Sequence, residues 1–504
     1  MNKPKWSGYL SPLFAAIFPI LSLANENLVF IRPISILRST LLSISITAIF
    51  YILFYLLLRN WNKAAILSSI LIILLATYGN VYGLFREQMG EDIRHVYLLI
   101  AYVLVYGGIA AFVIFGLKNA KDINNAILVG GVAMAIYLSI SIGYYEYQVY
   151  QSDVSTADTE SPFTTNLTEE EISGLPDIYL ILLDGHTRSD ILQDVYGYDN
   201  SEFIDELKEM GFWVPDCAQS NYPSTNFSIT SLFQMEYLHH VYEDYDNLVF
   251  PPLNNTAVFN VLEDHNYSIV TFHNFVFQHF NIKDDIRYRK ENKNFGSINE
   301  FEKMVVDNSI LRLLVEMDGV FPAAWSRPFE DDFYLTHYRD TQYALETLPE
   351  LPKLEGNNFV YAHLLVTHDP FVFMPDGSFN TSYKITPENY TYTVEYIDST
   401  LPSIAEKIIE NSDTPPIILI MGDHGAPLKG TPIGERIGIL LAVYLQGKEP
   451  AGFYEGITPV NVFRLMFNNL LDTQYELIDD KSYEIWQTSE LGRVSKQIFQ
   501  TCTP

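Results

Sequence analysis

Three near-continuous apolar runs stop at residues able to hold a cation. PDIYLILLD (176–184) ends on Asp184, NNFVYAHLLVTH (357–368) ends on His368, and PPIILIMGDHG (415–425) carries Asp423 and His424. Carboxylate and imidazole donors without thiolate suit a divalent ion such as Mn²⁺, Zn²⁺ or Mg²⁺. The chain has only two cysteines, Cys217 and Cys502, and no C-x-x-C spacing, which argues against a zinc knuckle or a redox motif. One disulfide in an exported domain and two buried free thiols fit the sequence equally.

A fourth candidate lies in SNYPSTNFSITSLFQMEYL (220–238), where Pro223 fixes a turn and Thr225 precedes a stretch with helical spacing. The free N–H groups at a helix start suit a phosphate or another tetrahedral anion. A Thr hydroxyl is a weak nucleophile and needs a metal or a base to activate it. The competing reading makes Thr225 a simple N-cap. Ser228, Thr230 and Ser231 are expected on the helix surface or in helix contacts. Among the 11 histidines, His186 follows Asp184 closely enough to support it from behind. His363 is a comparable candidate, weighed against the commoner case of a buried His bonded to backbone. His363 and His368, five apart in one expected strand, would face opposite sides.

The elements that must position these residues are legible in outline. Continuous apolar runs of this length read as strands buried on both faces of a mainly parallel sheet. Helical stretches near 200–210 and 390–410 separate them, so an α/β domain is expected. In such sheets ligands bind beyond the carboxyl ends of the strands, and that edge receives Asp184, His368, Asp423 and His424.

The N-terminal third is different. Apolar segments at 9–24, 35–58, 64–83, 95–117 and 124–144 each approach the about 20 residues that cross a bilayer. Five spans are therefore expected. Lys3, Lys5, Arg59, Lys63, Lys118 and Lys121 fall on one side of them, and the opposite flanks mix Arg with Glu and Asp. The positive-inside rule then puts the N-terminus in the cytoplasm and everything after Tyr144 outside. Residues 149–173 are polar and rich in Ser, Thr and acid, as a linker would be. The expected organisation is a transmembrane domain over 1–148, a linker over 149–173 and an external domain over 174–504. The whole chain has 31 basic and 61 acidic residues, a formal charge of -30. That balance argues against nucleic acid as a partner and favours a soluble acidic surface. Protein partners are not indicated.

In their order, DIYLILLDG, a Thr some forty residues later, THDPF and MGDHG resemble the alkaline-phosphatase/sulfatase superfamily. With the helical anchor, they look most like lipoteichoic acid synthases and phosphoethanolamine transferases. The likeness covers about 175–490. It implies an alkaline-phosphatase-like fold and one metal held by Asp184, Thr225, Asp423 and His424. It also places His368 where the family contacts substrate or a second metal. No equivalent of the D-x-x-x-H pair of two-metal members stands out, which leaves a second metal in doubt. The first acid is Asp184, where lipoteichoic acid synthases usually carry Glu.

The implied activity is transfer or hydrolysis of a phosphate ester through a Thr225 nucleophile. A phospholipid head group, passed to a cell-envelope acceptor, is one substrate of that class. Two alternatives compete: sulfate ester hydrolysis, and a non-catalytic envelope-binding protein of the same fold. Most sulfatases make a formylglycine from Cys or Ser in C/S-x-P-x-R, and CAQSN at Cys217 lacks both the Pro and the Arg.

Overall fold

A computed structural model describes residues 9–28, 33–89, 94–155, 172, 174–241, 253, 256–274, 282, 284–289, 299–317, 320, 333–382, 384–428, 430–488, 492–498 and 502. The chain forms two compact units. One unites Met1–Gln148 with Asn292–Asp332, and the other unites Val149–Glu291 with Phe333–Pro504.

In the first unit, four helices among the described residues are long and apolar enough to cross a membrane: Ile34–Leu58, Trp61–Arg86, His95–Gly116 and Ala120–Tyr147. The helix Ser11–Glu26 is also apolar but has only 16 residues. The expected span at 9–24 is thus a shorter apolar helix, and four of the five expected spans have helices of crossing length. Leu41, Ile49, Ile52 and Leu57 stand exposed on the second of these five helices. Such a surface is costly in water and matched by lipid. The helix Ala120–Ser155 runs past residue 149, so the expected linker begins as helix, and most of that linker lies outside the described residues.

Residues 292–332, expected in the external domain, belong instead to this first unit. Their helix Glu300–Asn308 opens with a capping box, Asn299 accepting from Glu302 N–H and Glu302 from Asn299 N–H. Glu302 also takes a two-pronged ion pair from Arg38, the bidentate fit guanidinium makes best. Phe301 is buried with Ile20 and Ala24. Further on, Glu316 Oε2 lies 2.8 Å from His95 Nε2, and His95 Nδ1 lies 3.1 Å from the Tyr78 hydroxyl.

The second unit is built on a six-stranded sheet. Its strands are β1 (Ile178–Leu183), β2 (Tyr267–Phe272), β3 (Ile286–Tyr288), β4 (Asn357–Leu364), β5 (Ile417–Gly422) and β6 (Leu441–Leu445). Their order is β3-β2-β4-β1-β5-β6. All neighbours are parallel except β5 and β6. The expected mainly parallel sheet is therefore present. Every residue of β1, β4 and β5 is buried, because apolar side chains pack on both faces. Ile178, Leu180 and Leu182 meet the helices Thr225–Gln234 and Pro459–Leu470 through Phe233, Phe463 and Phe467. Tyr179, Ile181 and Leu183 meet the long helix Pro387–Asn411 through Ile397, Leu401 and Ile404 on the opposite face. A separate hairpin pairs β7 (Ser482–Thr488) with β8 (Gly492–Ile498). Beyond it Cys502 forms a disulfide with Cys217, closing the two possibilities the sequence left open.

Candidate functional site

Strand register brings the acids together. Leu183 of β1 pairs with Leu364 of β4 and with Gly422 of β5. Asp184 and Asp423 each come one residue later, so they leave the same edge of the sheet side by side. Alternation then chooses the face. Asp184 follows Leu182 and Asp423 follows Met421 in parity, on the side where the Thr225–Gln234 helix packs. Gly185 takes a φ of +78° directly after Asp184. This left-handed turn favours glycine, and it aims Gly185 N–H at Asp423 Oδ1, 2.9 Å away.

Asp184, Asp423 and His424 offer ligand atoms within 4.8 Å of one another, and all three are buried. Asp423 Oδ1 accepts from Gly185 N–H and His424 N–H. Its Oδ2, and Oδ1 of Asp184, are buried without a hydrogen-bond partner in the described structure. Two orphaned carboxylate oxygens facing one imidazole cost free energy unless a cation meets them. The tautomer of His424 agrees. Its Nδ1 lies 2.7 Å from the Gly425 carbonyl, so Nδ1–H donates there and Nε2 presents its lone pair inward. This donor set fits a divalent ion.

Thr225 is the first residue of its helix, and Ser224 occupies the N-cap position. The N-cap reading of Thr225 is therefore set aside. Its hydroxyl lies 3.4 Å from Asp184 Oδ2 and 3.2 Å from His424 Nε2. Two arginines hold the helix at its ends. Arg436 donates to Pro223 O at the entry, and Arg464 donates to Met235 O at the exit. Both serve as backbone braces. Ser228 donates to Asp423 O at 2.6 Å, so it ties the helix to the acid.

The other histidines separate by geometry. His186 lies 2.8 Å from Asp398 Oδ1, in the helix on the far face, and does not back Asp184. His368 does not continue β4: the strand stops at Leu364 and a 3-10 turn, Leu365–Thr367, intervenes. Strand alternation therefore cannot oppose it to His363. Its side chain is 28% exposed, open to solvent where the acids are not. Burial would push the His368 imidazole down, but Asp184, then Asp369 and Asp423, outweigh it and hold it above its ordinary value. Burial likewise works to raise the Asp184 carboxyl. His368, then His363 through a hydrogen bond and charge, then His424, hold it well below the usual carboxylate range. His337, unassigned from the sequence, has Nε2 2.9 Å from Leu365 O and supports that turn. Burial, then His368, push it down to about 3. Nothing in its local sequence signals this, since its partner is 28 residues away.

The family model described as Sulfatase matches residues 176–469. No curated protein matches in sequence. Among solved structures, the chain is similar to the C-terminal periplasmic domain of EcEptC from Escherichia coli in complex with Zn. Identity is 12% and the TM-score 0.42, over 64% of this chain and 88% of that one. It is similar to the lipoteichoic acid synthase LtaP from Listeria monocytogenes, at 14% identity and TM-score 0.38, over 64% and 83%. It is also similar to the integral membrane lipooligosaccharide phosphoethanolamine transferase A from Neisseria meningitidis, at 13% identity and TM-score 0.35. That likeness spans 88% of this chain and 78% of that one.

Proposed function

This chain belongs to the sulfatase family, and from that premise we propose that it is a membrane-anchored, metal-dependent enzyme that transfers or hydrolyses a phosphate ester through Thr225. The observation that carries the reading is the Thr225 hydroxyl, 3.4 Å from Asp184 and 3.2 Å from His424, at the start of a ten-residue helix.

Asp184, Asp423, His424 and Thr225 would hold one divalent ion. When bound, such an ion lowers the pKa of a coordinated hydroxyl and polarises phosphoryl oxygens. Thr225 Oγ gives up its proton to solvent and forms the new bond to phosphorus as the leaving oxygen departs with the electron pair of the old one. The first N–H groups of the helix face the anionic phosphoryl oxygens. His368, held above its ordinary pKa, gives a proton to the leaving oxygen. Water or an acceptor hydroxyl then attacks the phospho-threonine and releases Thr225. Cys217, bonded to Cys502, is not free to become a formylglycine, which weighs against the sulfate-ester alternative.

The four long apolar helices tether the chain at a bilayer, where phospholipid head groups are abundant phosphate esters. The N-terminus lies in the cytoplasm and the sheet unit outside, the side on which a disulfide persists. The test is turnover by the full-length protein in liposomes, with products identified by mass spectrometry. Thr225→Ala should reduce turnover by about 10⁴ or more, as loss of a nucleophile does. Early quenching of the wild type should yield a phosphorylated peptide containing Thr225. Full turnover by Thr225→Ala would remove it from the chemistry.

A further inference from the structure

We propose that His363 is a positioning residue that decides which oxygen of Asp184 meets the metal. The inference rests on the reading of Asp184 as a metal ligand. His363 lies in β4 opposite Leu182 of β1, and it shares parity with Tyr361 and Phe359, which pack on the Thr225 side of the sheet. That places it beside Asp184. Its Nε2 is 3.0 Å from Asp184 Oδ2, and its Nδ1 is 3.3 Å from the Tyr361 hydroxyl. The side chains of His363 and Asp184 are each 1% exposed, so water does not compete for these contacts.

Proton bookkeeping orders the chain. An ionised carboxylate only accepts, so the ring hydrogen sits on Nε2 and donates to Asp184. Nδ1 then presents a lone pair, which accepts the Tyr361 O–H. Tyr361 stays a donor, because burial, then Asp423 and Asp184, push its phenol well above the ordinary value. Each member is thus locked in one hydrogen-bonding role.

The consequence falls on Asp184. His363 occupies Oδ2, where Thr225 also lies. Oδ1 is left buried and without a hydrogen-bond partner, 3.7 Å from His424 Nε2. Asp184 is thereby set to bind through Oδ1 alone. Single-oxygen ligation at a compact site suits small ions of the Zn²⁺ or Mn²⁺ type over Ca²⁺, which takes more oxygens and carboxylates in two-oxygen mode.

The test uses full-length protein in detergent micelles, stripped of metal and titrated with Co²⁺, whose visible absorption reports coordination. His363→Leu should weaken Co²⁺ binding about 10–100-fold, as lost outer-shell partners do, and should change the absorption spectrum. His363→Gln, whose amide nitrogen falls where the ring Nε2 was, should restore affinity and spectrum. If the Leu variant does not fold, His363→Asn, too short to reach Asp184, replaces it with the same expectation. Wild-type affinity and spectrum in the Leu or Asn variant overturn the assignment. Equal loss in Gln and Leu also overturns it, because Gln supplies the missing donor. Wild-type protein that takes up no Co²⁺ overturns the metal-site reading and this assignment together.

Discussion

Asp184 and Asp423 each present a buried carboxylate oxygen with no hydrogen-bond partner in the described structure. Such a pair is tolerable only when a cation offsets it. Removing metal with a chelator should therefore lower the unfolding midpoint of the wild type, and adding it back should restore the midpoint in proportion to concentration. Asp423→Ala should bind no metal, lose turnover and show a midpoint indifferent to the chelator. A chelator-sensitive midpoint in that variant would take Asp423 out of the ligand set. A different acid tests electrostatics away from the site. Asp177, just before β1, accepts from Asn358 N–H and Asn358 Nδ2. Burial raises its carboxyl above the ordinary value, and these bonds only partly offset the rise. The folded state therefore holds that proton more tightly than the unfolded chain. Stability from Asp177 is present below the ordinary aspartate range and lost as pH rises through the raised value. Asp177→Asn keeps the acceptor and removes the charge. Its unfolding midpoint should exceed wild type at pH 7, and the gain should shrink on acidification. An equal or lower midpoint at pH 7 would refute this sign.

Among elements, the 292–332 segment depends on one bare stretch of helix. A Cβ at Gly79 would lie 2.0 Å from Asp307 O, whereas a Cβ at Gly83, one turn on, meets nothing within 4 Å. Ile310 N–H bonds to Leu75 O in the same contact. The two glycines therefore predict opposite signs. Gly79→Ala should destabilise the first unit by about 1–3 kcal/mol through overpacking and speed proteolysis within 292–332. Gly83→Ala should stabilise by up to about 1 kcal/mol, from helix propensity alone. The unfolding midpoints of the full-length variants decide it, and matching shifts in the two would undo the packing argument.

The whole molecule joins residues 285 apart through Cys217 and Cys502. Closing so long a loop restricts the unfolded chain, and losing a native disulfide typically costs about 2–5 kcal/mol. Cys217→Ser should lower the unfolding midpoint in oxidising buffer, and reductant should have little further effect on it. The same bond requires an oxidising compartment, which agrees with the orientation proposed from the basic flanks. Protease added to intact cells should release a fragment beginning within residues 150–174. Release from permeabilised cells alone would reverse the topology.

Local pattern sufficed wherever a residue's environment follows from its neighbours in sequence. The apolar runs ending at Asp184 and at Asp423–His424 are strands because continuous burial leaves no polar alternation, and parallel packing sets their ends level. The apolar N-terminal helices are legible for the same reason: length and composition decide them. What escaped is whatever depends on distant partners. The sequence could not show that β4 stops at Leu364, so strand alternation does not relate His363 to His368. It could not show that His186 turns to Asp398, 212 residues away, or that His363 turns to Asp184, 179 residues away. Nor could it show that residues 292–332 leave the sheet unit, since Gly79 and Asp307 meet only in the folded chain. Periodicity reports which side of an element is buried, and only tertiary packing chooses what that side is buried against.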